Sequence, residues 1–168
     1  MKIEEKNGKF IIKDFSEIEA YTIACKIESD GISFYTKLLE KATIENVKKT
    51  LNFLLTEEKK HLKFFEEAKF LIRKNIEDLF EDDDLLTSID FGVFQPYQSI
   101  SELHKVLDNP NKAIKLGIII EDKSIKFYEL CKEKISTAKT KNEISNIIQE
   151  EYKHKKLLED LLKDYREL

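Results

Sequence analysis

Glycine and proline are scarce in this 168-residue chain, with four of one and two of the other. So few chain breakers suit long helices. Cysteine is nearly absent too: Cys25 and Cys131 stand alone, without a C-x-x-C pair. That excludes a rubredoxin or zinc-ribbon module, and both are read as buried small hydrophobes in a reducing compartment. No stretch approaches 18 consecutive apolar residues, and the start "MKIEEKNGKF" lacks the apolar run of a signal peptide. A soluble cytoplasmic protein without a membrane partner is expected. An excess of one charge is missing as well; the net charge is only −4 and the signs are interspersed, so no nucleic-acid partner is expected.

What is present is charge and aliphatic bulk. Charged residues make up 37% of the chain, alongside abundant Phe, Ile and Leu, a composition that suits amphipathic helices. Four long segments carry helical periodicity, which predicts helices over 17–42, 44–74, 110–136 and 141–166. Their starts have recognisable caps. Ser16 with Glu19 and Thr140 with Glu143 read as capping boxes, and Asn109 before Pro110 reads as an N-cap with proline at N1. Short turns make helix 1 an antiparallel neighbour of helix 2, and helix 3 of helix 4. Between the pairs runs a connector, 75–109, with a turn-like "FGVFQPYQS" and a short helix expected from Ile100 to Leu107. The expected fold is all-α, an antiparallel four-helix bundle with a long crossover between helices 2 and 3, in a single domain over 1–168. Residues 1–15 form an extended or loose extension with no assigned function. The acidic "FEDDDLL" (Phe80 to Leu86) and the Lys/Glu faces of helices 2 and 4 read as solvated surface.

The chain repeats itself without gaps at an offset of 93 residues. Ala20, Ile27, Glu28, Ile32, Phe34 and Tyr35 fall on Ala113, Ile120, Glu121, Ile125, Phe127 and Tyr128. Glu57, Glu58, Lys60 and His61 fall on Glu150, Glu151, Lys153 and His154. Each helix also has a seam spaced by three and four, and in every seam polar residues interrupt the apolar ones near mid-helix. Helix 1 runs Ile18, Tyr21, Cys25, Glu28, Ile32, Tyr35, and helix 2 runs Leu51, Leu54, Glu58, His61, Phe65. Helix 3 runs Ile114, Ile118, Glu121, Ile125, Tyr128, and helix 4 runs Ile144, Ile147, Glu151, His154, Leu158. Seam positions face other helices.

Four glutamates and two histidines should therefore converge inside one bundle. Isolated buried carboxylates cost several kcal/mol each, a total comparable to a domain's whole stability of about 5–15 kcal/mol. Two divalent cations cancel four negative charges, and imidazole adds neutral nitrogen ligands. Glu at i with His at i+3 lets one helix offer both to one ion. One Glu from each of two helices, with Glu-x-x-His from each of the other two, is the pattern of di-iron or di-manganese carboxylate bundles. The third histidine, His104, reads as a surface or packing residue. Gly31 and Gly117, inside helices, make room for a small oxidant or for close helix contact, the second being favoured.

At "LLTEEKKHLKFF" and "IIIEDKSIKFYELCKE" the sequence resembles the rubrerythrin-like branch of the ferritin-like superfamily, over most of residues 17–166. The resemblance implies a ferritin-like topology. It also implies Glu28, Glu58, His61, Glu121, Glu151 and His154 as ligands of two iron ions, with Glu58 and Glu151 bridging; manganese or a mixed pair is the alternative. Tyr35 and Tyr128 are implied to pack beside the site, either hydrogen-bonding a ligand carboxylate or as ordinary core. Two departures are expected to matter. Rubrerythrins proper carry a rubredoxin-like domain, whereas this chain stops at Leu168, and Ser124 stands where they place an additional helix-3 carboxylate. The four-Glu, two-His set is closer to that of bacterioferritin. The function implied is reduction of hydrogen peroxide or dioxygen, a small oxidant, with electrons from a rubredoxin-like or other small redox protein. A ferroxidase or iron-handling role is the alternative, against which the lack of a short fifth helix weighs. A metal-free helical interaction module is the remote one. A homodimer is expected from the resemblance.

Overall fold

The computed structural model describes residues 2–6, 9–13, 15–75 and 106–164. Helix α1, Glu17–Lys41, begins where its sequence predicts. The Ser16 hydroxyl accepts from the Glu19 N–H, and the Glu19 carboxylate accepts from the Ser16 N–H at 2.7 Å, which satisfies two donors that a helix start otherwise leaves orphaned. A short turn leads into α2, Glu45–Asn75. Helix α3, Pro110–Lys134, opens on Asn109, whose side chain accepts from the Lys112 N–H at 3.0 Å. Helix α4, Ala138–Asp164, begins about one turn before the expected 141. Its cap is Thr137, not Thr140: the Thr137 hydroxyl accepts the Thr140 N–H at 3.3 Å, and the Thr137 carbonyl accepts the Lys141 N–H at 3.1 Å. Two threonines three residues apart can each cap, and the upstream one takes the role.

Before α1, strands β1 (Lys2–Lys6) and β2 (Lys9–Lys13) pair antiparallel, with Lys6 opposite Lys9 and Lys2 opposite Lys13. Of the two expectations for this segment, extended or loose, the extended one holds, and its strands pair. Most of the connector, including "FGVFQPYQS", "FEDDDLL" and His104, lies outside the described residues. Of the short helix expected from Ile100, only its end is described, where Val106 and Leu107 are helical and buried.

Helix α1 packs on α2 and α3 on α4, while α1 also touches α3 and α2 touches α4. The cross-helix pairs Tyr128–Glu28 and Tyr35–Glu121 make α1 and α3 antiparallel. Helix α2 must therefore run in the same sense as α3. Apolar layers close both ends. At one end Tyr21 packs on Phe65 (6.3 Å between centroids) and Phe65 stacks on Tyr128 (5.2 Å). At the other, Leu51, Leu54, Ile114, Leu116, Leu158 and Leu161 are buried. Removing each such side chain from water is worth roughly 1.5–3 kcal/mol, so the two layers can hold a polar centre between them. Of the two cysteines, Cys131 is buried as expected but Cys25 is only half-buried. No helix among the described residues is long and apolar enough to cross a membrane.

Candidate metal centre

Residues three apart on a helix lie within one turn on the same face, about 4.5 Å along the axis. Glu58 and His61 on α2, and Glu151 and His154 on α4, therefore project together, and α1 and α3 add Glu28 and Glu121. All six are buried, the most exposed being Glu58 at 5%. They form two overlapping groups: Glu28, Glu58, His61 and Glu151, and Glu58, Glu121, Glu151 and His154. Within each, one oxygen or nitrogen per residue lies within 4.8 Å of the others. Glu58 and Glu151 belong to both.

Glu151 sits between the imidazoles. Its Oε1 is 3.0 Å from His61 Nδ1 and its Oε2 accepts from His154 Nδ1 at 3.0 Å. His61 Nδ1 is also 3.8 Å from Glu28, and His154 Nδ1 is 3.5 Å from Glu58. The two rings stack at 5.6 Å. The tyrosines are exchanged between helices: Tyr35 of α1 donates to Glu121 of α3, and Tyr128 of α3 donates to Glu28 of α1.

The electrostatics show how much charge this space resists. Burial, and then the charges of Glu58 and Glu151, push the Glu28 carboxyl well above its usual range. Burial and the same two neighbours do so for Glu121. Burial would raise Glu151 as well, but the hydrogen bond to His154 and the closeness of the His61 ring outweigh it and hold that carboxyl low. Burial opposes protonation of His154, yet Glu151 and Glu58 prevail and raise it to about 9; His61 is raised in the same sense. Burial and the nearby carboxylates keep both tyrosines neutral. Without cations, the cluster must carry protons to stay neutral.

Of the five buried side-chain polar atoms without a hydrogen-bond partner among the described residues, four belong here: Glu28 Oε2, Glu58 Oε1, His61 Nδ1 and Glu151 Oε1. An unpaired buried polar atom costs about 1–3 kcal/mol. Orphans are rare in folded proteins, so four together call for a common partner. Carboxylate oxygens and imidazole nitrogens offer lone pairs, and the group that satisfies several at once is a cation. An oxygen-rich set with one imidazole per position and no thiolate suits iron or manganese. The residues present fit a two-metal site.

Four neighbours complete the picture. His61 Nε2 meets Glu150 Oε2 at 3.0 Å, a contact the sequence reading missed by treating Glu150 as surface. The doubled glutamate in both copies of "EExKH" was the available signal. Gly31 lies against the Glu58 carboxylate, where an added Cβ would stand 3.0 Å from Oε2, so it clears space for a side chain and not for a helix backbone. At Gly117 a Cβ would meet Leu158 at 3.1 Å, which is the expected close packing. The Ser124 hydroxyl donates to the Ile120 carbonyl at 3.1 Å and so is satisfied within its own helix.

A family model described as Rubrerythrin matches residues 19–162. Among solved structures, a Thermotoga maritima protein described as a putative ferritin-like diiron-carboxylate protein superposes with a TM-score of 0.68 at 20% identity, covering 92% of this chain and 99% of that one. A hypothetical protein from Pyrococcus furiosus gives 0.66 at 22% identity, covering 90% and 93%. At these identities the likeness establishes the ferritin-like fold. No curated protein matches the sequence.

Proposed function

Because this chain belongs to the rubrerythrin family, we propose that it is a di-iron oxidoreductase that reduces hydrogen peroxide or dioxygen with electrons from an external donor. The observation that carries this reading is the pair of overlapping four-residue clusters sharing Glu58 and Glu151. Glu28 and His61 would hold one ion, Glu121 and His154 the other, and the shared carboxylates both. Two ferrous ions supply Lewis acidity and one electron each for cleaving an O–O bond.

The protein's own groups set the conditions. Burial of all six side chains keeps bulk water off the centre and strengthens every electrostatic contact there. Tyr35 and Tyr128 hold Glu121 and Glu28 in place through the hydroxyl proton. His61 and His154 turn Nδ1 inward beside Glu151. Re-reduction requires a partner, a rubredoxin-like or other small redox protein.

The ferrous protein, mixed anaerobically with hydrogen peroxide and separately with dioxygen in a stopped-flow instrument, tests the reading. One peroxide takes two electrons and two protons to give two waters, so one peroxide should oxidise two ferrous ions, faster than it oxidises free ferrous ion. Oxidation no faster than that of free iron overturns it. Uptake of iron well beyond two ions per chain would replace it with an iron-handling role.

A further inference from the structure

The 93-residue repeat places Glu150 and Glu57 at equivalent positions, each preceding the glutamate of Glu-x-x-His. Across the bundle they do different things. Glu150 Oε2 lies 3.0 Å from His61 Nε2, the ring nitrogen that points away from the cluster. Glu57 is paired with Lys60 at 2.6 Å. His154 meets an aromatic neighbour: Phe53 approaches edge-on, with centroids 6.1 Å apart. The residue equivalent to Phe53 in the other half is Asn146. One imidazole is thus backed by a carboxylate and the other flanked by an apolar ring.

We propose that Glu150 is a positioning residue that makes the two metal positions unequal, so that the Glu28–His61 position fills first and more tightly than the Glu121–His154 position. The inference rests on the two-metal reading above. A carboxylate accepting the Nε2 proton fixes the tautomer with the Nδ1 lone pair inward, locks the ring plane and raises the ring's basicity as a ligand; losing such a partner typically weakens metal binding about 10–100-fold. Glu150 acts through His61 and touches no reacting atom. Its side chain is 41% exposed, so its replacement should spare the fold.

The test is an anaerobic titration of the metal-free protein with cobalt(II), followed by visible absorption and by the cobalt-shifted imidazole N–H signals in the proton spectrum. The wild type should take two ions in two separable steps, the first bringing out the N–H signal of His61. In Glu150→Ala the first step should weaken at least tenfold and merge with the second. Glu150→Gln, which keeps a neutral acceptor, should fall between. Glu57→Gln should move neither step more than threefold, and thermal unfolding of the metal-free variants should match the wild type. A Glu150→Ala protein with wild-type steps overturns the proposal while leaving the two-metal reading intact. Equal affinities for both ions in the wild type do the same, as does a Glu57→Gln loss equal to that of Glu150→Ala. A wild type that binds no cobalt overturns both.

Discussion

The α1–α2 and α3–α4 hairpins present the same inner groups at the same spacing but differ just outside them. Glu28, Tyr35, Glu58 and His61 in one are Glu121, Tyr128, Glu151 and His154 in the other, all buried. Around them the halves diverge: Gly31 corresponds to Ser124, Phe53 to Asn146, and Phe65 to Leu158. The two shared carboxylates also sit differently. Glu151 meets both imidazoles at 3.0 Å, whereas Glu58 meets His154 at 3.5 Å and rests against Gly31. The inner set answers to charge balance, which is specific about residue type. The surroundings answer to volume, which several side chains can fill.

Removing the most central carboxylate is the strongest way to break this comparison. Glu151→Ala should abolish binding of both ions, whereas Glu121→Gln should lose one, as measured by elemental analysis after anaerobic loading. A Glu151→Ala protein that keeps one ion tightly would show that the carboxylate is not shared.

Next in size is the effect of pH, which should act on both halves alike. Glu28, Glu121 and the two histidines have raised values, so their contribution to metal-free stability is complete at low pH and lost as pH rises through the folded value. For His154 that loss runs from about 6.5 to about 9. Glu151, held low, acts oppositely, contributing above its ordinary value and losing that contribution only in acid. Metal-free protein should therefore melt at lower temperature at pH 9 than at pH 6 by calorimetry with a chelator present. Metal affinity should rise over the same interval, because ions must expel those protons. A melting temperature that climbs towards pH 9 would contradict the charge account.

The tyrosines sharpen the comparison on a smaller scale. Tyr35→Phe and Tyr128→Phe each delete one buried hydroxyl–carboxylate bond, so each should cost about 1–2 kcal/mol in urea unfolding. Costs differing by more than about 1 kcal/mol would mean the two pairs are not equivalent. The smallest effect belongs to the glycine. Gly31→Ala adds helix propensity of about 1 kcal/mol but forces Glu58 Oε2 to give by a few tenths of an ångström, so metal-free stability should stay within about 1 kcal/mol of wild type. A larger loss would show that Glu58 has no room to adjust.

Much of this was legible because helical period decides burial. The three–four spacing set which faces turned inward, and the repeat located matching interruptions in all four seams, so the six polar side chains meet where the pattern placed them. Partners across the bundle were not legible. Short turns paired helix 1 with helix 2 and helix 3 with helix 4, but nothing local says how the two hairpins meet, so it was left open whose carboxylate Tyr35 would reach. Glu150 hid among charged neighbours because its role depends on a ring from another hairpin. The start of α4 slipped because Thr137 and Thr140 are both competent caps. The N-terminal hairpin did carry a cue, the dipeptide Asn7–Gly8, which suits a two-residue hairpin turn, although neither "KIEEK" nor "KFIIK" alternates apolar with polar residues.

The exchanged tyrosines have a mechanical consequence. The two pairs lie seven residues apart along α1 and α3, roughly 10 Å by helical rise, and they point in opposite directions across the same interface. A slip of one hairpin past the other by a single turn, about 5.4 Å, would unlatch both at once and shear the four carboxylates apart. The halves of this bundle should close as a two-pin lock closes, fully or not at all.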